Sequence, residues 1–143
     1  QQYFDERLFM GCLDGGSREE VLEKMCSRIH EVYDLPDKFL DSVMLREKMG
    51  QTDFGNLVAL PHPYKVMTDQ RFVAVAVLRE PIFWFRQKVQ VVFLTAIGRE
   101  EDENLQQFYE ATTDLILRPA DVQNLIRHPD YDRLIQLLRR SEE

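Results

Sequence analysis

Cysteine is nearly absent: Cys12 and Cys26 are the only two in 143 residues. That excludes a disulfide scaffold and suits a reducing cytosol. No apolar run approaches the roughly 18 residues that a membrane-crossing helix needs. The stretch Gln1 to Gly11 has neither the basic start nor the apolar core of a signal peptide. Positive charge is in deficit, with 18 Lys and Arg against 25 Asp and Glu and a formal net charge of -7. Direct binding to nucleic acid or to an anionic membrane is therefore disfavoured. Internal repeats, low-complexity tracts and long linkers are missing too. What remains is ordinary for a globular chain, 44% hydrophobic and 30% charged. One compact cytoplasmic domain over residues 1–143 is expected. Gln1-Gln2 is not a natural initiation, so the chain reads as a domain excised from a longer protein.

Periodicity supplies the organisation. Gly11 to Ser17 is the loosest stretch. Ser17 and Glu20 then form a capping-box pattern, followed by Val21, Leu22, Met25, Ile29 and Val32 at helical spacing. Leu35-Pro36-Asp37 opens a second helix with proline in its first turn. Phe39, Leu40, Val43 and Met44 make its apolar face, and Gly50 is its stop. Leu57 to Leu60, Phe72 to Leu78 and Val89 to Ile97 are apolar and rich in β-branched residues, the pattern of strands covered on both faces. Arg79 to Lys88 is too short for a helical crossover, which points to an antiparallel pair. Glu100 to Leu117 returns to helical spacing, with Leu105, Phe108, Tyr109, Thr112, Leu115 and Ile116 on one side. Short helices begin at Pro119 and Pro129. The class is α/β: a central mixed, mostly parallel sheet flanked by helices on both faces.

Of three histidines, His62 stands out, because it follows an apolar strand and lies between Pro61 and Pro63. The two prolines stiffen the backbone and bias His62 to extended geometry. A fixed imidazole at a strand end is what a nucleophile needs. Neutral imidazole, with an ordinary pKa of about 6.5, is a competent phosphoryl acceptor near neutral pH. Upstream, Gly55-Asn56 signals a turn open to positive φ. Thr52 offers a hydroxyl, the loop offers amides, and Arg46 offers a forked guanidinium, all suited to phosphate oxygens. The plain alternative is that His62 is a loop residue and Arg46 complements a helix dipole.

Other candidates carry less. Cys26 and His30, spaced i and i+4, form a possible metal pair that lacks further ligands. Cys12 has no basic neighbour to make it a thiolate. His128, before Pro129, reads as structural at a helix start. Trp84 and Phe85 fall between strands, as core or as a docking surface. Arg99 to Glu103 reads as a solvated helix start, and Arg139-Arg140 fits a helix end. Neither metal nor cofactor is expected.

The stretch Leu45 to Pro63, LREKMGQTDFGNLVALPHP, resembles the active-site signature of the mannitol/fructose-type enzyme IIA family of the bacterial sugar phosphotransferase system. Its elements are Arg46-Glu47, Thr52, Gly55-Asn56, the Leu57-Val58 strand and Ala59-Leu60-Pro61-His62. Pro81-Ile82-x-Trp84 with Val89 to Leu94 resembles the family's two central strands and their loop, and the similarity covers roughly residues 5–140. The resemblance implies that His62 accepts a phosphoryl group from the histidine-containing phosphocarrier protein. It implies that Arg46 stabilises phosphate charge and that Thr52, Gly55 and Asn56 line the phosphate site. Transport members carry a second histidine where this chain has Asn104, and an amide there donates a hydrogen bond but takes no proton.

The wording Thr-Asp-Phe-Gly-Asn-Leu-Val-Ala, Pro-His-Pro and Glu-Asn-Leu-Gln-Gln-Phe-Tyr is more similar to the IIA-like domain at the C-terminus of BglG-type transcriptional regulators and antiterminators. The expected role is thus a regulatory phosphoacceptor rather than a turnover enzyme. Its partners would be the phosphocarrier and other domains of the parent regulator. The alternatives are a transport enzyme IIA that passes the group to a IIB domain, a docking module with a silent His62, and a histidine-based hydrolase, for which no base or metal partner is visible.

Overall fold

In a computed structural model, residues 4–65, 71–96 and 103–140 are described, the first three of the last segment by their backbone alone. The elements run β1 (Phe4–Leu13), α1 (Arg18–Val32), α2 (Phe39–Met49), β2 (Asp53–Gly55), β3 (Val58–Ala59), β4 (Phe72–Phe83), β5 (Lys88–Ala96), α3 (Glu103–Ile116), α4 (Pro119–Arg127) and α5 (Tyr131–Arg139). The strands form one sheet in the order β1-β4-β5-β3-β2. The pairs β1·β4 and β3·β5 are parallel, and β4·β5 and β2·β3 are antiparallel. The sheet is mixed as expected, but parallel pairing holds no majority.

The apolar run of β4 has a direct cause. Alternate side chains point to opposite faces of a strand, and here both faces are covered. Phe72, Ala74, Ala76 and Leu78 pack with Val21, Leu22, Met25 and Ile29 of α1 and Phe39 and Val43 of α2. Val73, Val75 and Val77 pack on the other side, with Phe108 and Leu115 of α3, Val122 and Leu125 of α4 and Leu134 of α5. Phe93 and Val91 of β5 join that second layer, and Val92 and Leu94 join the first. Helices therefore cover both faces.

Several boundaries differ from the sequence reading. β1 was not foreseen, because its exposed Glu6, Arg7 and Cys12 interrupt the apolar pattern at an edge of the sheet. α2 begins at Phe39, three residues after Pro36, whose carbonyl accepts from Phe39 N–H at 3.0 Å in a turn outside the helix. β4 continues through Arg79 to Phe83, so the turn shrinks to Trp84–Gln87. Tyr109, placed by spacing on the apolar side of α3, is 52% exposed. The start of α3 before Glu103 and the side chain of Leu105 lie outside the described residues. Pro119 does open α4, whereas α5 starts at Tyr131, capped by Asp130, whose side chain accepts from Arg133 N–H at 2.8 Å. His128 ends α4 rather than starting a helix. Ser17 caps α1 as expected, accepting from Glu20 N–H at 3.1 Å, while the Glu20 carboxylate takes Gly16 N–H at 3.2 Å.

Phe72, fully buried at the start of β4, is stacked 5.3 Å from Tyr33 and tilted 6.1 Å from Phe39. Replacing it with Ala is expected to cost about 3–5 kcal/mol of unfolding free energy, read from urea denaturation, since a full aromatic cavity opens beneath α1 and α2.

Candidate functional site

β3 leads straight into Leu60-Pro61-His62, and three contacts brace that segment. Leu60 N–H donates to Thr52 O at 2.9 Å, Thr95 N–H donates to Pro61 O at 3.1 Å, and Tyr64 N–H reaches Ser42 O and Oγ at 3.0 and 2.9 Å. β3 runs parallel to β5, so His62 lies at the end of the sheet where β5 finishes. The ring is half-buried, and its Nδ1 lies 3.1 Å from the carbonyl of Leu60. A carbonyl oxygen only accepts, so in the neutral ring this contact favours the tautomer with the proton on Nδ1 and the lone pair on Nε2.

Arg46 leaves the last turn of α2, half-buried, with Nη1 3.4 Å from the Gly50 carbonyl just beyond the helix. Gly50 ends the helix in extended backbone, φ 166°, rather than in a left-handed cap. Asn104 is the second residue of α3; its side chain lies outside the described residues.

Thr52 does not do what its hydroxyl suggested. It is buried, and Oγ1 donates to Glu47 Oε2 at 2.6 Å while accepting from Trp84 Nε1 at 3.1 Å. Trp84 Nε1 also donates to Glu47 Oε1 at 2.8 Å, and Arg18 approaches that oxygen at 3.5 Å. The hydroxyl is consumed inside the fold, not offered to a ligand. Asn56 is likewise committed: its amide donates to Ile116 O and satisfies a carbonyl at the end of α3. Gly55, at φ 96°, and Asn56 and Leu57, at 51° and 69°, make the tight turn joining β2 to β3. Positive φ at both central residues is the geometry of a type I′ hairpin. Of the expected phosphate ligands, Thr52 and Asn56 thus hold the scaffold.

Two acids beside the site are buried, and the sequence gives neither of them a role of its own. Glu47 is 1% exposed and falls four residues after Val43, which is itself four after Phe39. A carboxyl in register with an apolar helix face was the available signal. Burial pushes it above the usual carboxylate range, against the opposing pull of Thr52, Trp84 and the Arg18 and Arg46 guanidiniums. Asp53 gave no such signal. Its Oδ2 accepts from the amides of Phe85, Arg86 and Gln87 at 3.2, 2.8 and 2.8 Å. Burial alone would raise it, but those amides outweigh burial and hold it below its ordinary value of 3.8.

The remaining candidates resolve simply. Cys26 is core, its thiol pushed up to about 12 by burial, which makes it a poor metal ligand at neutral pH. Among the described residues no group of three or more His, Cys, Asp or Glu is placed to hold a metal. Trp84 is buried and Phe85 half-buried, with the Arg18 and Arg86 guanidiniums 6.0 and 5.7 Å from its ring. Arg140 pairs with Asp121 at 2.7 Å. No helix among the described residues is long and apolar enough to cross a membrane.

A mixed five-stranded sheet covered by helices on both faces, with one braced histidine at a strand end, defines an α/β domain of the enzyme IIA mannitol-like fold. The chain belongs to the family described as phosphoenolpyruvate-dependent sugar phosphotransferase system, EIIA 2, which it matches over residues 2–141. It is 35% identical over 133 residues to the probable licABCH operon regulator of Bacillus subtilis strain 168, covering 93% of this chain and 21% of that protein. It is 29% identical over 110 residues to the transcriptional regulator ManR of the same organism, covering 77% and 17%. The chain thus spans about a fifth of the length of these curated relatives. Its fold is also that of enzyme IIA mannitol in a complex with phosphorylated enzyme IIB mannitol from Escherichia coli. That match has a TM-score of 0.77 at 18% identity and covers 94% of this chain and 97% of the other.

The pH behaviour of Asp53 follows from its lowered value. The charge is favoured in the folded state, so its contribution is complete above 3.8 and is lost as pH falls below it. Glu47 acts with the opposite sign, since a raised folded value loses stability as pH climbs from the unfolded value toward it. Asp53→Asn is expected to destabilise by about 1–3 kcal/mol at pH 7. That difference narrows at pH 3, as compared by urea midpoints.

Proposed function

We propose that this domain is a regulatory phosphoacceptor. His62 takes a phosphoryl group from the histidine-containing phosphocarrier protein, and the acquired charge controls a sugar-responsive transcriptional regulator of which the domain is part. The observation that carries this is the 3.1 Å contact from Nδ1 to the Leu60 carbonyl. It holds the imidazole in the tautomer whose Nε2 lone pair is free to attack, on a backbone braced at Leu60, Pro61 and Tyr64.

Nε2 attacks the phosphorus of the donor's phosphohistidine. A new N–P bond forms as the donor's N–P bond breaks, and that electron pair returns to the donor imidazole. The His62 proton stays on Nδ1, so no separate base is required. Such transfers depend on alignment and charge stabilisation more than on covalent help. Arg46 supplies the charge, its guanidinium making one long contact, to the Gly50 carbonyl, among the described residues. Gly55 opens the neighbouring turn, and Asn104 serves as a neutral donor where transport members use a second histidine.

Each phosphorylation adds about -1.5 to -2 charges at one point. On a domain already at -7, that is enough to bias packing against neighbouring domains of a longer chain. Both curated relatives named above are regulators by their names, which supports this reading over transport. Sugar uptake drains phosphate from shared carriers, so the state of His62 would report sugar supply in the cytoplasm.

Incubation with labelled phosphoenolpyruvate, enzyme I and phosphocarrier tests the proposal. Wild type is expected to gain acid-labile, base-stable label, and His62→Ala none. Arg46→Ala is expected to slow labelling by roughly a hundredfold, the loss typical of one charge-stabilising donor. Equal labelling of His62→Ala would refute the assignment.

A further inference from the structure

One hydrogen-bonded chain runs from the middle of the fold to the reactive ring. Glu47 Oε2 accepts from Thr52 Oγ1 at 2.6 Å, Thr52 O accepts from Leu60 N–H at 2.9 Å, and Leu60 O accepts from His62 Nδ1 at 3.1 Å. Trp84 closes its buried end, donating to both Glu47 and Thr52. The three hydrogen bonds are joined through the backbones of Thr52 and Leu60. The carboxyl sets the rotamer of Thr52, and the Thr52 carbonyl holds the Ala59–Leu60 peptide through Leu60 N–H. The Leu60 carbonyl lies in the next peptide, across Leu60's own φ and ψ, and that stretch is held from its far side by Thr95 N–H on Pro61 O, so the carbonyl faces the imidazole from a backbone fixed at both ends. Glu47 also follows Arg46 directly on α2, so the same anchor fixes where the guanidinium leaves the helix.

Resting on the phosphoacceptor reading, we propose that Glu47 is a positioning residue for phosphoryl transfer at His62. It touches neither phosphate nor imidazole. Its carboxyl holds Thr52, and through the Thr52 and Leu60 peptides it holds the ring in its Nδ1–H tautomer with Nε2 presented. The neutral isostere shows why the carboxyl is needed. In Glu47→Gln one oxygen becomes an NH2. Facing Trp84, that group opposes an N–H; facing Thr52, it donates to a hydroxyl that was donating to it. Either orientation turns the Thr52 hydroxyl or displaces the indole, while the volume of the site is unchanged.

The test compares wild type, Glu47→Gln, Thr52→Val and Thr52→Ser in the labelling reaction, with carrier concentration varied. Imidazole 15N spectra of the unphosphorylated protein are recorded alongside. Far-ultraviolet circular dichroism and urea midpoints monitor whether each variant is folded, since the emission of Trp84 itself responds to the loss of its bonds to Glu47 and Thr52. The expected result is a roughly tenfold to hundredfold fall in the saturated transfer rate for Glu47→Gln and Thr52→Val. The half-saturating carrier concentration stays unchanged, and the Nδ1–H tautomer of His62 is depleted. Thr52→Ser, which keeps the hydroxyl, recovers the rate lost in Thr52→Val. Should Glu47→Gln fail to fold, Thr52→Val carries the comparison. Folded variants with wild-type rates and an unchanged tautomer balance overturn the positioning role. Wild type that takes no label defeats the phosphoacceptor reading instead, and the tautomer spectra then still decide whether the chain from Glu47 aims the ring.

Discussion

The site is organised around a carboxyl that has been taken out of water. Burying an ionisable acid costs several kcal/mol unless its oxygens are bonded. Glu47, 1% exposed, meets that condition with Thr52 at 2.6 Å, Trp84 at 2.8 Å and Arg18 at 3.5 Å. Satisfying it pins three segments to one point: the last turn of α2, the entry to β2, and the β4–β5 turn. Asp53, immediately after Thr52, works from the other side through one oxygen: Oδ2 gathers the amides of Phe85, Arg86 and Gln87, while the buried Oδ1 has no partner among the described residues. Two acids thus fasten one hairpin turn to the segment that delivers the histidine.

The phosphoryl transfer proposed for His62 draws on this rigidity. A phosphoryl group in flight needs an aligned nucleophile and nearby positive charge, and little else from the protein. His62 is aligned by its own chain, through Leu60, and by contacts from three different elements: the entry to β2, strand β5 and helix α2. Arg46 sits one residue from the buried acid. The domain also resembles its solved relative in fold while sharing only 18% identity with it. That is what a scaffold defined by layered packing and a few buried polar bonds would tolerate.

Much of this was legible in the sequence, and the reasons for the exceptions are physical. β4 and β5 announced themselves because both faces are covered, leaving no polar alternation to confuse the period. β1 stayed hidden because Glu6, Arg7 and Cys12 interrupt its apolar pattern at the sheet edge. His62 was conspicuous between its prolines. Thr52 and Asn56 were read as ligands because hydroxyls and amides suit phosphate, but composition cannot say where a short side chain points. Their actual partners, Glu47 and Ile116, lie 5 and 60 residues away in sequence. Glu47 is named in the signature, but its burial does not show there, because a charged residue at a helix end is ordinarily solvated. Only its i+4 register with Phe39 and Val43 betrayed that it faces inward.

The most direct test of the account is to ask which imidazole nitrogen carries the phosphoryl group. Long-range 1H–15N spectra of the phosphorylated, 15N-histidine-labelled domain, read with 31P, resolve it. The account predicts phosphorus on Nε2 of His62 with the proton retained on Nδ1. Phosphorus on Nδ1, or on a residue other than His62, would contradict it.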